Sequence, residues 1–263
     1  MSETLYILLI YACLIVIIAL AVSKHMLKKR ASTLEKSGNE LVSNIAHELK
    51  TPMTSIVGFV ETLQSGAIND PHKAGRFLEI IAVESARLQN IIESTLELSR
   101  LDNLEHDKNK QEFDFDEVIA ESINLLRQMA NEEDIKIDVY YKNSEAVRVN
   151  ANKVRMKQVI HNLVGNAIKY NKPQGKVDII VGSRGKNLIL QVYNTGNGIA
   201  YEHIPRLFER FYRVDDGRAR DVGGTGLGLA IVKKIVDLYN GHIEVETQPG
   251  ESVTFIVTLP IVM

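Results

Sequence analysis

The chain has 263 residues, enough for one large domain or two smaller ones together with an anchor. Its formal net charge of -2 provides no basic surface of the kind that binds nucleic acid, so we expect no direct nucleic-acid partner. The single cysteine, Cys13, excludes an intramolecular disulfide framework and is consistent with a reducing compartment.

An uncharged apolar segment lies close to the N-terminus. The run Leu5 to Val22 (LYILLIYACLIVIIALAV) matches the roughly 17–25 residues with which a helix crosses a hydrocarbon core. Basic residues follow it directly: Lys24, Lys28, Lys29 and Arg30. The positive-inside rule therefore predicts a tail and single transmembrane helix at 1–23, a juxtamembrane linker at 24–40, and a cytoplasmic remainder, with no extracellular domain. A cleaved signal peptide is the alternative, but its positive charges would precede the apolar run.

Residues 41–105 carry apolar side chains at helical spacing. The first stripe comprises Leu41, Ile45, Leu49, Pro52, Ile56, Val60 and Leu63, and the second comprises Phe77, Ile81, Leu88, Ile91 and Leu98. Gly66, Asn69, Asp70 and Pro71 predict a turn between them. Two long helices joined by a short turn form an antiparallel hairpin, and a lone hairpin leaves its stripe in water. We therefore expect an all-α domain that pairs with a second copy as a four-helix bundle.

A polar linker, Asn103 to Gln111, separates the hairpin from a second domain at 112–263. The patterns predict helices at Val118–Met129 and Val154–Tyr170, and strands at Val177–Val181, Leu188–Val192, Ile243–Val245 and Val253–Leu259. Because the helices and strands do not strictly alternate, we expect an α+β layer. The long stretch from Thr195 to Leu227 is typical of a functional lid.

His47 lies in the first helix, within SNIAHEL. At about 100° per residue it is roughly 200° around the helix from Ile45, so it faces away from the apolar stripe. Thr51 shares its face one turn later, and Pro52 favours a kink just beyond. This face is either simply solvated, or His47 is a nucleophile whose ring a carboxylate orients. Glu48 is adjacent, but neighbouring helix positions do not face each other, so its side chain must fold back.

Two asparagines, Asn162 and Asn166, lie four residues apart in HNLVGNAIKYN and therefore share a helix face, with Lys169 and Tyr170 one turn on. Amide oxygens are hard ligands for Mg²⁺. A lysine offers positive charge to phosphates, and an aromatic ring can stack on a base. The alternative is an amide pair satisfied within the protein, because buried amides without partners are costly.

Two glycine-bearing segments flank the long connection. NTGNGI (Asn194–Ile199) follows a strand, and GGTGLGLAIVKKIV (Gly223–Val236) precedes an amphipathic helix. Glycine permits close backbone approach, and a helix N-terminus presents free N–H groups to phosphate. The second segment also nearly fits a dinucleotide fingerprint, but the strand that should precede it is missing. The arginines between the segments are a solvated charge run or phosphate contacts: Arg206, Arg210, Arg213, Arg218 and Arg220.

Together these segments resemble the sensor histidine kinases of two-component systems. SNIAHELKTPMTSI looks like the H box, HNLVGNAIKYN the N box, VYNTGNGI the G1 box, LFERFYRVD the F box and GGTGLGLAIV the G2 box. All five stand in family order and at family spacing across residues 43–263. The resemblance implies a dimerisation and histidine-phosphotransfer hairpin joined to a Bergerat-type (GHKL) ATP-binding domain, an α/β sandwich, with a response regulator as partner and ATP and Mg as cofactors.

The resemblance also implies roles for individual residues. By motif matching, His47 is the phosphoacceptor, Glu48 its acid–base partner, and Thr51 the residue that helps place water when the regulator is dephosphorylated. Asn166 and Asn162 would hold magnesium, with Lys169 and Arg213 near the phosphates and Tyr170 near adenine. The remaining nucleotide contacts would be Asn194, Gly196, Gly198, Arg210, Gly224, Thr225, Gly226, Leu227 and Gly228.

One position departs from the family pattern. The G1 box normally opens with an aspartate that accepts a hydrogen bond from the adenine amino group, whereas this chain has Asn194. If the amide only accepts, an aspartate there would bind at least as well, because charge-assisted bonds are stronger. If the amide also donates to a neighbour, an aspartate would bring an unpaired buried charge. An inactive relative is a further alternative.

Two other function classes fit parts of the pattern. One is an ATPase of the gyrase or chaperone kind with the same nucleotide fold, against which the H box on a hairpin argues. The other is a non-catalytic or phosphatase-biased relative. About 24 residues separate the predicted membrane span from His47, too few for the family's usual linker domain. We therefore expect the signal to enter through the transmembrane helix or a membrane partner.

Overall fold

The computed structural model describes residues 42–143, 146–214 and 224–261. Within these ranges, none of the helices is both long enough and apolar enough to cross a membrane. Several predictions fall outside the described residues, namely the transmembrane helix at Leu5–Val22, the linker at 24–40, and the positions of Arg218, Arg220 and Gly223. The chain divides into two units, of which the first has residues 42–54 as its described part and the second begins at Ser55.

Within the described residues, the first two helices are α1, residues 42–64, and α2, Pro71–Asp102, joined through a 3-10 turn at Ala67–Asn69. Asp70 begins α2 by accepting hydrogen bonds from the backbone N–H groups of His72 and Lys73, which occupies two donors that a helix start leaves open. Pro71 suits the first helical position because its missing N–H has no partner there anyway. The rings of Phe59 and Phe77 lie 5.2 Å apart between centroids. The predicted turn is confirmed.

A five-stranded sheet forms the centre of the C-terminal part. Its strands are β2 (Lys136–Tyr141), β4 (Lys176–Arg184), β5 (Asn187–Thr195), β6 (His242–Gln248) and β7 (Ser252–Pro260). The order across the sheet is β2-β4-β5-β7-β6, and only β2 and β4 are parallel. Two short strands, β1 (Gln111–Asp114) and β3 (Arg148–Ala151), make a separate antiparallel pair.

Three helices share one core with this sheet: α3 (Phe115–Glu132), α4 (Lys153–Lys169) and α5 (Gly228–Leu238). Alternate residues of the strands are buried in it, as in Val253, Phe255, Val257 and Leu259 of β7. That alternation is what period-two side-chain geometry requires of a sheet with one covered face. The α/β sandwich is confirmed, and every predicted helix and strand of this part is present. The observed bounds are somewhat longer than predicted, except that α4 keeps its predicted length and is shifted by one residue towards the N-terminus.

The polar segment after α2 is fixed to the α/β part by one buried carboxylate. Asp107 Oδ2 accepts from Arg155 Nε at 2.7 Å and from the Tyr239 hydroxyl at 2.6 Å, while Oδ1 accepts from the backbone N–H of Asn109. Burial opposes ionisation of Asp107, but these donors outweigh it and lower the pKa of its carboxyl. Arg155 also pairs with Glu97 of α2 at 3.1 Å. The linker is therefore an ordered connection.

Tyr239→Phe tests this anchorage. We expect the free energy of unfolding to fall by about 1–3 kcal/mol, because a buried carboxylate loses one of its donors while the packed ring remains. The urea midpoint followed by circular dichroism measures the effect. Tyr201→Phe is the matched control, since the Tyr201 side chain is largely exposed and its hydroxyl reaches water. Equal midpoints for the two variants would contradict a structural role for the Asp107 network.

Candidate functional site

His47 occupies the exposed side of α1, as its helical spacing predicts. Ile45 and Leu49, from the predicted apolar stripe, are partly buried. The Thr51 hydroxyl donates to the backbone carbonyl of His47 at 3.4 Å, which places Thr51 one turn along the same helix. An exposed imidazole is accessible to a reacting group, and a hydroxyl one turn away can hold a water molecule.

The face of α4 that carries Asn162 and Asn166 is half-buried. Asn162 points towards the start of α5, because a Cβ added at Gly228 would meet Asn162 Oδ1 at 3.0 Å. Gly228 therefore allows α5 to begin directly against this amide. Two amide oxygens one turn apart form a hard donor set that suits Mg²⁺ retaining several of its waters.

Lys169 and Tyr170 continue this face at the C-terminal end of α4. The Lys169 Nζ lies 5.3 Å from the centroid of the Tyr170 ring. A Cβ at Gly224 would come within 2.8 Å of that Nζ and 3.2 Å of the Tyr170 hydroxyl oxygen. Burial, then the charges of Arg213 and Arg87, lower the pKa of Lys169 to about 8. An anion placed beside Lys169 would relieve this repulsion and favour the charged lysine.

The end of β5 lies beside Tyr170. Asn194 is only 4% exposed, and its Nδ2 donates to the carbonyl oxygen of Thr195 at 2.8 Å. Gly196 has φ +153°, and a Cβ there would press on the carbonyl oxygen of Tyr170. Gly198 has φ +64° and is packed against the backbone of Gln248. These positions need glycine because a side chain has neither the space nor the torsion.

The segment before α5 is fixed by backbone contacts with Phe211. The Phe211 N–H donates to the Gly226 carbonyl at 2.9 Å, and a Cβ at Gly226 would overlap the Phe211 backbone. Gly226 has φ +67°, which glycine adopts without strain. Thr225 Oγ1 accepts from the N–H of Leu227, whose side chain is fully buried. The described part of the glycine-rich segment is thus held against the α/β core.

The three described arginines of the long connection have different surroundings. Arg213 is partly buried and its charge acts on Lys169. Arg210 instead pairs with Asp102 at the end of α2, at 2.5 Å, and Lys234 of α5 contacts the same carboxylate at 2.8 Å. Arg206 stacks on the Tyr212 ring, 4.2 Å from its centroid. The structure therefore brings Arg213, but not Arg206, towards the lysine, and it places Arg210 in an inter-element ion pair.

Sequence reasoning missed two residues beside this site, Asn171 and Thr195. Thr195 Oγ1 donates to Asn171 Oδ1 at 2.7 Å, which links the chain directly after α4 to the end of β5. The two positions are 24 residues apart, so local periodicity carries no signal of their contact. The only sequence clue was a polar residue directly after each proposed nucleotide contact, Tyr170 and Asn194.

Two family models match the chain. The model described as "Histidine kinase-, DNA gyrase B-, and HSP90-like ATPase" matches residues 151–263. The model described as "His Kinase A (phospho-acceptor) domain" matches residues 38–104. The second range contains His47, and the first contains the asparagine pair of α4 and both glycine-bearing segments.

Curated relatives include sensor protein kinases WalK from two staphylococci. The chain is 34% identical to the Staphylococcus saprophyticus protein over 229 residues, which cover 86% of this chain and 37% of that protein. It is equally identical to a Staphylococcus aureus WalK, covering 54% of it. The chain thus spans between about a third and a half of the length of these relatives.

Solved structures of histidine kinases are similar to this chain in fold. The catalytic domain of histidine kinase ThkA is 32% identical, with a TM-score of 0.51, and the match covers 57% of this chain and 95% of that one. ThkA in complex with the response regulator TrrA matches with a TM-score of 0.69 and 29% identity, covering 85% and 61%. Histidine kinase AdeS of Acinetobacter baumannii matches with a TM-score of 0.65 and 26% identity, covering 82% and 98%.

Proposed function

Because this chain belongs to the sensor histidine kinases of two-component systems, we propose that it phosphorylates its own His47 from Mg-ATP and passes the phosphoryl group to an aspartate of a response regulator. One observation carries the proposal. Lys169 and Tyr170 at one end of α4 stand against Gly224, and Asn162 stands against Gly228, so a glycine-bearing backbone faces a lysine, an aromatic ring and amide oxygens.

This arrangement offers the chemical groups that the binding of ATP requires. The N-terminus of α5 offers backbone N–H groups to phosphate, and Lys169 supplies positive charge. Asn166 and Asn162 would hold Mg²⁺, which would neutralise charge on the phosphates. Tyr170 and Asn194 lie where the end of α4 meets the end of β5. There an adenine ring would stack on Tyr170, and its amino group would find an acceptor in Asn194. Binding and positioning of this kind account for most of the catalysis of phosphoryl transfer.

The first transfer begins at the imidazole of His47. A ring nitrogen attacks the γ-phosphorus, the bond from that phosphorus to the β–γ bridging oxygen breaks, and ADP leaves. The proton on the other ring nitrogen passes to Glu48 and from there to water. In the second transfer a carboxylate oxygen of the regulator attacks the phosphorus, the N–P bond breaks, and the imidazole regains a proton.

Four further proposals concern the cellular setting and the partners of the chain. The apolar run at Leu5–Val22 with its basic flank anchors the chain in the cell membrane by a single pass, with the catalytic part in the cytoplasm. The hairpin pairs two copies into a homodimer. The regulator is recognised through its receiver domain, supported by the complex in which the relative ThkA was solved with TrrA. The input reaches the hairpin through the membrane helix or a membrane protein.

A labelling experiment tests the proposed activity. The full chain in detergent, incubated with γ-labelled ATP and Mg²⁺, should gain label that acid removes and base preserves, as a phosphoramidate does. Added response regulator should then take up label at an acyl phosphate. ATP hydrolysis without any protein-bound label would instead indicate an ATPase of the gyrase or chaperone kind, and binding without either reaction would indicate an inactive relative.

Dimerisation should be visible in the mass of the particle. Several large apolar side chains of the hairpin remain exposed in the single chain, namely Val57, Leu78, Val83, Ile92 and Leu96. Burying them against a second copy stabilises the pair by removing apolar surface from water. Analytical ultracentrifugation at micromolar concentration should therefore give a dimer, and Val83→Glu should shift it towards monomer. A monomeric wild-type chain would contradict the proposed four-helix bundle.

Thr51→Ala separates the two reactions of the hairpin. The Thr51 hydroxyl lies one turn from His47 on an exposed helix side, where it can hold water but not a phosphoryl group. We expect labelling of His47 to stay within about twofold, and dephosphorylation of the regulator to slow by about tenfold. This is less than the roughly 10²–10⁴-fold that a proton-transferring side chain contributes, because Thr51 would only position the water. Thr54→Ala is the matched control, because that exposed threonine makes the same kind of bond to Lys50. Equal dephosphorylation by both variants would reduce Thr51 to a surface residue.

A further inference from the structure

The chain directly after α4 and the end of β5 are joined by a closed set of hydrogen bonds centred on Asn171. Its Oδ1 accepts from the Thr195 hydroxyl at 2.7 Å and from the N–H of Lys172 at 3.0 Å. Its Nδ2 donates to the carbonyls of Ala167 and Lys176, each at 3.1 Å. A primary amide has two donors and two acceptor sites, so every hydrogen-bonding position of Asn171 is used.

Thr195 completes the set from the sheet side. While its hydroxyl donates to Asn171, the same oxygen accepts from the N–H of Lys176 at 2.9 Å. Gly175 makes this approach possible, because any Cβ there would overlap Asn171 Oδ1 and Thr195 Oγ1. Three pieces of chain therefore converge on one pair of side chains: the last turn of α4, the start of β4 and the end of β5.

The same threonine also fixes the amide of Asn194. The Thr195 carbonyl accepts from Asn194 Nδ2 at 2.8 Å, so the position of that carbonyl decides which way the amide turns. With Nδ2 engaged, Asn194 Oδ1 is left as the acceptor. On the other side, Asn171 directly follows Tyr170, whose carbonyl packs on Gly196. Asn171 and Thr195 are thus adjacent to Tyr170 and Asn194, the two residues that we assign to adenine binding.

We propose that Asn171 and Thr195 are positioning residues that set the base selectivity of the nucleotide site: they hold Asn194 Oδ1 as an acceptor, so that the site takes a purine with an amino group at position 6 and rejects one with an oxo group there. They act through Asn194 and Tyr170 and do not touch the nucleotide. The inference deepens the proposed function and depends on it.

A site that is built to hydrogen-bond one substrate group strongly rejects an analogue that lacks the group, because its own polar atoms are then left unpaired. If the hydrogen bonds between Asn171 and Thr195 served only the fold, they would instead contribute stability alone. Base selectivity is therefore the measurement that separates the two roles. Inosine diphosphate differs from ADP in carrying an oxo group at position 6, so Mg-ADP and Mg-IDP are the probes.

The experiment measures dissociation constants of Mg-ADP and Mg-IDP by calorimetry on the full chain. Wild type should prefer ADP by about tenfold or more. Thr195→Val and Asn171→Ala should reduce that preference to within about threefold, whereas Thr195→Ser keeps the hydroxyl and should retain it. Asn143→Ala is the control, because the Asn143 amide makes two comparable bonds to Ser183 elsewhere on the sheet. Should Asn171→Ala fail to fold, the Val and Ser variants at Thr195 still decide.

Three outcomes would overturn the inference, and each is distinct. A Thr195→Val variant that folds and keeps the full preference for ADP would show that the hydrogen bond between Thr195 and Asn171 has only a structural role. A wild-type chain that binds ADP and IDP equally would leave the nucleotide site standing without this selectivity. Binding of neither nucleotide by the wild type would overturn the proposed function itself, and the inference with it.

Discussion

His47→Gln should abolish phosphorylation of the chain while leaving its affinity for an ATP analogue within about twofold of wild type. The amide of glutamine cannot attack phosphorus, so the reaction loses its nucleophile. Nucleotide binding persists because the residues assigned to it lie on α4, β5 and the start of α5, whereas His47 lies on α1. Retained label, quantified after base treatment, measures the first effect, and calorimetry measures the second.

His72→Gln is the matched control for this experiment. His72 is a second exposed histidine of the hairpin, in the first turn of α2. Its loss should leave labelling unchanged. Asn166→Ala should show the converse of His47→Gln, losing the magnesium-dependent part of nucleotide binding while the phosphoacceptor histidine remains. Label appearing on another histidine in the His47 variant would show that the phosphoacceptor has been assigned to the wrong residue.

The fold was predictable wherever a single periodicity decides the environment of a segment. In β7, Val253, Phe255, Val257 and Leu259 alternate with the less buried Thr254, Ile256 and Thr258, and all four are buried. By contrast, β2 (KIDVYY) was not predicted, because it is an edge strand with several exposed side chains and has little alternation to detect. Its pairing with β4 is parallel and crosses over through α4, and no local pattern specifies such a pairing.

In the candidate site, too, only the features that local spacing determines were predictable. Helical spacing put Asn162 and Asn166 on one face and His47 on the exposed side of α1. Contacts between distant segments were not predictable, and the clearest case is Arg210, which the sequence groups with phosphate contacts and the structure pairs with Asp102. Charge alone does not identify the partner of an arginine, because any carboxylate brought close by the fold satisfies it.

The sequence left two interpretations of the Asn194 amide open: it only accepts a hydrogen bond from the base, or it also donates one to a neighbour. In the structure the amide donates to the Thr195 carbonyl, which favours the interpretation in which it serves a neighbour as well as the base. Asn194→Asp replaces that donor with a charged oxygen facing a carbonyl oxygen at a position that is only 4% exposed. We therefore expect affinity for an ATP analogue at pH 8 to fall by about tenfold, equivalent to about 1.4 kcal/mol.

The affinity of the Asn194→Asp variant for the ATP analogue should depend on pH. Burial and the facing carbonyl disfavour the charged carboxylate, so the pKa of the introduced group should lie above the ordinary aspartate value. Its protonated form carries an O–H that can donate to the Thr195 carbonyl, as Asn194 Nδ2 does. Affinity of the variant should therefore recover as the pH falls from 8 towards the raised pKa, while the wild type, whose amide does not titrate, provides the reference curve.

Asn194→Leu removes both the donor and the acceptor. The Thr195 carbonyl and the amino group of adenine would then each lack a partner, and unsatisfied buried groups cost about 1–3 kcal/mol apiece. The affinity for the analogue should therefore fall by about 100-fold or more, with no recovery at low pH. Because leucine also fills the buried volume, circular dichroism checks that the sheet is retained. An aspartate variant that binds as tightly as wild type at pH 8 would show that the Asn194 amide acts only as an acceptor, and a leucine variant with full affinity would place the adenine away from the end of β5.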